Sequence, residues 1–256
     1  MLFLAQTIDH KVVHDFVFAL QQAQPYFDWR GDEPLKIHYK EGLIMDSLAY
    51  DSRYIPTGSV EFVSSFIRAF EPQAEEALRP LNVPDVLVNS KYGRCRNVRN
   101  IFTETDAEKK VQLGKPLFRK SLSTVKDPSN GVFIPKDPRE VIGYQVSDIV
   151  DFLSEWRVFV FHNQVQHIAN YAGDPLLFPD KDQILEMVDT MRGSAPVAYT
   201  LDVGILDKDV TTVVECHRFF SCGLYGFNDP AVLPYMLSQA WFEIKNINNP
   251  FSCNHA

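Results

Sequence analysis

Three features of the sequence predict an α+β fold. Apolar residues recur at helical spacing in several segments, and they alternate along others that pair as hairpins across short polar turns. The chain of 256 residues is long enough to bury one large core or two small ones.

The elements follow in order. MLFLAQTIDHK begins apolar but has no basic n-region and no cleavage site, so it reads as a buried first strand and not a signal peptide. His10 to Gln24 reads as an amphipathic helix with Val12, Val13, Phe16, Val17 and Leu20 on one side. Ser59 to Phe70 reads as a second helix, capped by Thr57 or Ser59. Pro72, Pro80 and Pro84 then place a boundary near residues 80–90. Leu117 to Ile134 reads as two strands around a Pro-Ser-Asn-Gly turn, carrying Arg119, Lys120 and Lys126. That turn either folds over phosphates or stands as a solvent-facing hairpin.

SEWRVFVFHNQVQHIANYAG reads as a hairpin turning at His162-Asn163. Strict alternation puts Trp156, Val158, Val160, Val165, His167, Ala169 and Tyr171 on a core face and Arg157 on a polar one. Asp180 to Met191 is a short helix ended by Gly193, Tyr199 to Phe220 a further hairpin, and Pro230 to Ile247 the last helix. The tail from Asn248 is expected to be irregular.

Composition narrows the function. Hydrophobic residues make up 45% and charged residues 23%, and the formal net charge is −8, which argues against a general nucleic-acid binder. No apolar run is long enough to span a bilayer. Cys95, Cys216, Cys222 and Cys253 form no CxxC pair, so reduced thiols in a cytoplasm are expected. The basic run KYGRCRNVRN is either a solvated face or a surface for an anionic ligand.

The chemistry concentrates in the hairpin of YTLDVGI and VVECHRFF. An even loop of two or four residues places Asp202 opposite Glu215, with His217 beside it and Val213 on the same face. Opposed carboxylates repel unless they share a proton or a divalent cation. The pattern is therefore either a metal or acid–base site or an edge hairpin with two solvated acids. Three rivals are weaker. Zinc on Cys216, Cys222, Cys253 and His255 has irregular spacing. Cys216 with His217 as its base fails because adjacent strand residues face opposite ways. His10 and His14, at i and i+4 of the first helix, lack a glutamate base.

The order FRKSLSTVK, YQVSDIVDF, EWRVFV, YTLDVG, ECHRFFSCGLYG resembles the ATP-grasp superfamily, in particular a bacterial and phage family related to the initiation-factor assembly chaperones of that superfamily. The resemblance implies an α+β ATP-grasp fold, with two subdomains clasping ATP between antiparallel sheets. Residues 1–85 would be a smaller N-terminal α/β region and 86–256 the ATP-grasp domain, split into a lid at about 86–145 and a central subdomain at 146–256. It implies ATP-binding roles for Arg119, Lys120, Lys126, Ser147, Asp148 and Val150. Arg157 and Lys126 would be catalytic, and Asp202, Glu215 and His217 would hold Mg²⁺ or Mn²⁺. His217 stands where the superfamily usually places asparagine; imidazole suits Mn²⁺ better than Mg²⁺, so its role is to bind Mn²⁺, to contact a phosphate or to orient Glu215. The implied activity is a cytoplasmic, ADP-forming carboxylate–amine or carboxylate–thiol ligase working through an acyl phosphate on a peptide, protein or amino acid. The alternative is an ATP-binding assembly chaperone with little turnover.

Overall fold

A computed structural model describes residues 1–31, 34–43, 49–207, 210–220 and 222–246. In chain order the elements are β1 (Leu2–Thr7), α1 (Asp15–Arg30), β2 (Lys36–Glu41), β3 (Ile55–Thr57), α2 (Val60–Phe70), α3 (Asp85–Val88), α4 (Lys91–Arg94), β4 (Arg99–Ile101), α5 (Glu104–Lys110), β5 (Leu117–Ser121), β6 (Gly131–Phe133), β7 (Tyr144–Ser147), β8 (Ser154–Phe161), β9 (Gln164–Gly173), α6 (Lys181–Met191), β10 (Ala198–Asp207), β11 (Val210–Arg218) and α7 (Leu233–Asn246). Two compact units form: Met1–Leu78 with Pro196–Ala198 and the described residues from Arg218 onward, and Arg79–Ala195 with Tyr199–His217. The first break falls at Leu78, and the C-terminal helix joins the N-terminal unit, so these units cut across the division at residue 85 drawn from the sequence. No helix among the described residues is long and apolar enough to cross a membrane.

The first unit is built on a parallel sheet in the order β2-β1-β3. Its central strand β1 is buried along nearly its whole length, as its apolar sequence requires. The helix expected from His10 starts later, at Asp15. Asp9 and His10 have φ of 50° and 57°, and Ile8 and Lys11 exchange both backbone hydrogen bonds across them at 3.0 Å. This tight turn consumes the first residues of the expected helix, so His10 and His14 do not share a helical face and Val13 is exposed. The helix instead runs on to Arg30, burying Phe27, and Gly31 closes it at φ 69°. In α2 the Ser59 hydroxyl accepts from the Phe62 N–H at 3.1 Å, the cap its sequence predicts. Helix α7 buries Leu233, Met236, Leu237, Trp241 and Ile244, the predicted stripe. The expected irregular tail, with Cys253 and His255, lies outside the described residues.

The second unit carries two four-stranded sheets, β11-β10-β8-β9 and β4-β7-β5-β6. Tyr199, Leu201, Val203 and Ile205 of β10 pack with Trp156, Val158 and Val160 of β8 and with Ile184, Met187 and Met191 of α6. A smaller core lies on the other sheet, around Ile101, Leu117, Val141 and Val146. His162 and Asn163 both take positive φ, as a two-residue hairpin needs.

Strict alternation fails in β9, however. The register shifts between Glu155 and Trp156 and again between Phe159 and Val160. Each bulge adds one unpaired residue and reverses which residues share a face. Ala169 consequently pairs with Arg157, His167 with Phe159, and the Tyr171 hydroxyl donates to Glu155 at 3.0 Å. Of the four β9 residues assigned to the core face, Ala169 is buried, though level with Arg157, while Val165, level with Val160, is exposed.

Candidate functional site

Alternation along β10 drives Tyr199, Leu201 and Val203 into the core and turns Asp202 to the opposite face. Asp202 is 1% exposed, and Arg157 of β8 chelates it through Nε at 2.8 Å and Nη2 at 2.6 Å. Glu215 of β11 is joined by the ammonium of Lys120 from β5. His217 Nε2 lies 3.3 Å from Glu215 Oε1 and 3.6 Å from Asp202 Oδ2. One ligand atom from each of Asp202, Glu215 and His217 falls within 4.8 Å of the others.

Electrostatics explain how two acids coexist here. Burial pushes the Glu215 carboxyl up, but the hydrogen bond and charge of His217, with Lys120, outweigh it and hold the group well below the usual range. Burial also opposes charge on His217, yet Asp202 and Glu215 raise the imidazole to about 9. Without a metal, two carboxylates are thus balanced by a guanidinium, an ammonium and an imidazolium. A divalent cation would take the place of the imidazolium proton, and the donor set is then four carboxylate oxygens and one nitrogen of a neutral imidazole, which fits such an ion.

Strand β11 departs from the expected pattern. Val213 and Cys216, three residues apart, both pack in the core, while Val214 and Glu215 face a cavity of about 340 Å³ between the unit's two sheets. Val213 therefore does not share a face with Glu215 and His217. The tip Lys208-Asp209, on which the loop-length argument rests, lies outside the described residues.

Residues 96–234, more than half of the chain, match a family described as an ATP-grasp domain, family 2 of its clade. The chain belongs to this ATP-grasp family. A solved structure of D-cycloserine synthetase DcsG superposes with a TM-score of 0.56 at 11% identity, covering 95% of this chain and 100% of that one, and shows the same fold. ATP-grasp ligase PsnB with its minimal precursor matches at 12% identity and TM-score 0.49, covering 93% and 100%. A RimK domain protein from Sphaerobacter thermophilus matches at 14% identity and TM-score 0.49, covering 94% and 98%. No functionally curated protein matches the sequence.

Within this ATP-grasp domain the expected site residues separate into two groups. Asp202, Glu215, His217, Arg157 and Lys120 lie together, and Asp148 and Val150 line the cavity. Ser147 is buried where β7 pairs with Phe118 of β5, and it does not line the cavity. Arg119 is turned elsewhere. Its guanidinium stacks 3.6 Å from the Phe133 centroid and donates to the carbonyls of Ser129 and Glu140 at 3.1 and 3.0 Å. Lys126 is exposed on the loop between β5 and β6.

Sequence reasoning did not bring Phe152, Glu155 and Tyr171 to the cavity wall, and it left Arg96 inside an undifferentiated basic run. Tyr171 was hidden by the bulges of β9. For Arg96 no local signal was available: Arg94, Arg96 and Arg99 are alike in the sequence, and the fold alone buries Arg96. Among the described residues no cysteine belongs to the carboxylate cluster or the cavity wall. Cys216 is buried against Met191, its thiol pushed up by burial, and the Cys222 thiol donates to the Phe219 carbonyl.

Proposed function

We propose that the chain is an ATP-dependent ligase that activates a carboxylate as an acyl phosphate and joins it to an amine or thiol. The observation that carries this reading is the convergence of Asp202, Glu215 and His217 with Lys120 and Arg157 beside a cavity in an ATP-grasp domain. The cavity volume of about 340 Å³ lies within the usual range for ligand sites. Asp148, Ile149 and Val150 with Phe118 form a mixed polar and apolar wall suited to a purine.

A divalent cation held by Asp202, Glu215 and His217 would neutralise charge on the ATP phosphates. The imidazole nitrogen favours Mn²⁺, while the carboxylates accept Mg²⁺ equally. Lys120, partnered now by Glu215, is the phosphate ligand of its strand. Arg157, whose guanidinium is held by Asp202, would steady the transferred γ-phosphoryl as it moves to the substrate carboxylate. The nucleophile then attacks the acyl carbon and inorganic phosphate leaves. The protein's part is alignment and charge compensation in a partly dry site. The substrate is a carboxylate on a peptide, protein or amino acid.

Nucleotide binding with and without Mn²⁺ or Mg²⁺ tests the site. Asp202→Asn and Glu215→Gln are each expected to abolish the metal-dependent gain in ATP affinity while leaving the chain folded. Unchanged affinity in both defeats the assignment. Incubation with Mg-ATP and pooled carboxylates and amines, read by mass spectrometry, tests turnover. ADP together with an adduct one water lighter than its parts supports the ligase. Tight ATP binding without ADP release, with one co-purifying protein, supports an assembly factor instead.

A further inference from the structure

Arg96 occupies a position that the proposed chemistry leaves unused. It is 7% exposed and lines the cavity. Its Nε and Nη2 donate to the Val213 carbonyl at 3.1 and 2.7 Å, and Nη2 also donates to the Val214 carbonyl at 2.9 Å. In a regular strand successive carbonyls point to opposite sides, so a single nitrogen cannot reach both. Here it can, because β11 breaks its alternation at this point: Val213 enters the core, and Val214 and Glu215 face the cavity. Strand β11 is the edge of its sheet, so the carbonyls turned outward need a partner from elsewhere. Arg96 supplies it, and irregularities of this kind re-aim the side chain that follows them.

The same residue reaches the opposite wall. Its backbone carbonyl accepts the Asp148 N–H at 2.8 Å, and its guanidinium lies 5.5 Å from the Phe152 ring centroid. Asp148 and Phe152 both line the cavity. One residue thus ties the segment at Asp148 to the backbone just before Glu215.

We infer that Arg96 is a positioning residue that aims Glu215 into the cavity and couples the Asp148 segment to the carboxylate cluster. This deepens the nucleotide–metal reading of the cavity and rests on it. A planar guanidinium is needed, because lysine cannot present a fork to two adjacent carbonyls.

The test compares Arg96→Met and Arg96→Lys with wild type by Mn²⁺ titration, read from the paramagnetic signal of free Mn²⁺ and without nucleotide. Arg96→Met is expected to weaken Mn²⁺ binding at least about tenfold, the size seen when outer-shell supports of metal ligands are removed. Arg96→Lys should fall between the two, and carries the test alone should Arg96→Met not fold. Arg94→Met, on the exposed residue two positions earlier, should bind as wild type does.

Hydrogen exchange supplies the second readout. ADP should protect the amides of 214–217 in wild type but not in Arg96→Met. Wild-type Mn²⁺ affinity in folded Arg96→Met overturns the inference. If wild type binds Mn²⁺ but no nucleotide, the ligase reading fails, and the Mn²⁺ comparison still decides the role of Arg96. Absence of Mn²⁺ binding in wild type overturns both.

Discussion

Replacing Arg157 with methionine keeps much of the side-chain length and removes the guanidinium that chelates Asp202. Asp202 is 1% exposed and Arg157 6%, so water cannot take over the lost interaction. Removing one partner of such a pair typically costs about 3–5 kcal/mol, because the other charge stays buried and unpaired. His217, 3.6 Å from Asp202, offers partial compensation, which points to the lower end, about 3 kcal/mol. For a chain of this size that corresponds to a fall of about 6–12 °C in Tm. Urea unfolding of the metal-free protein measures it as a lower midpoint at constant slope. The double variant Arg157→Met, Asp202→Leu should recover most of the loss, since both charges are gone. A single variant within about 0.5 kcal/mol of wild type, or a double variant as unstable as the sum of the two singles, would refute the reasoning.

Other expectations follow from local geometry. A Cβ added at Gly204 would sit 2.2 Å from the Phe152 ring, so Gly204→Ala should cost about 1–3 kcal/mol, with part restored by Phe152→Leu; an unchanged Tm counts against this packing. The Thr200 hydroxyl is fully buried with no hydrogen-bond partner among the described residues, so isosteric Thr200→Val should be neutral or stabilise by up to about 1 kcal/mol. A clear loss in urea unfolding would reveal a partner for that hydroxyl. Asp137 caps a short 3-10 turn, and Arg139, by side-chain and backbone hydrogen bonds, lowers its carboxyl from 3.8 to about 2. A depressed carboxyl contributes stability above its unfolded value and loses it as pH falls, so this contribution is present above about pH 4 and disappears through about pH 2. Carboxyl titration by NMR should give that midpoint, and Asp137→Asn should flatten the slope of stability between about pH 4 and 2.

Much of the fold was legible where a single local rule decides. The Ser59 cap, the α7 stripe and the His162-Asn163 turn each depend on a few neighbouring residues, and each appears where its pattern puts it. The misses share a different cause. The first helix begins at Asp15 because Ile8 and Lys11 close a tight turn that periodicity does not register. The faces of β9 are misassigned because two bulges each shift a period of two by one residue. Arg119 and Lys120 are adjacent and chemically alike, yet one stacks on Phe133 and the other meets Glu215. Composition cannot separate them, since their directions depend on which face of β5 meets the other sheet.

By itself the sequence determined the α+β character, the apolar face of β10 and, with it, the side to which Asp202 turns. Alternation is a property of the backbone, so those residues needed no partner to be placed. Tertiary structure decided how the two acids are tolerated: Arg157, Lys120 and His217 surround them from three strands. It also decided the aim of Glu215, which depends on a break in β11 whose carbonyls Arg96 holds from more than a hundred residues away in sequence. Charge compensation and strand irregularity are set by distances through space, and no spacing along the chain encodes them.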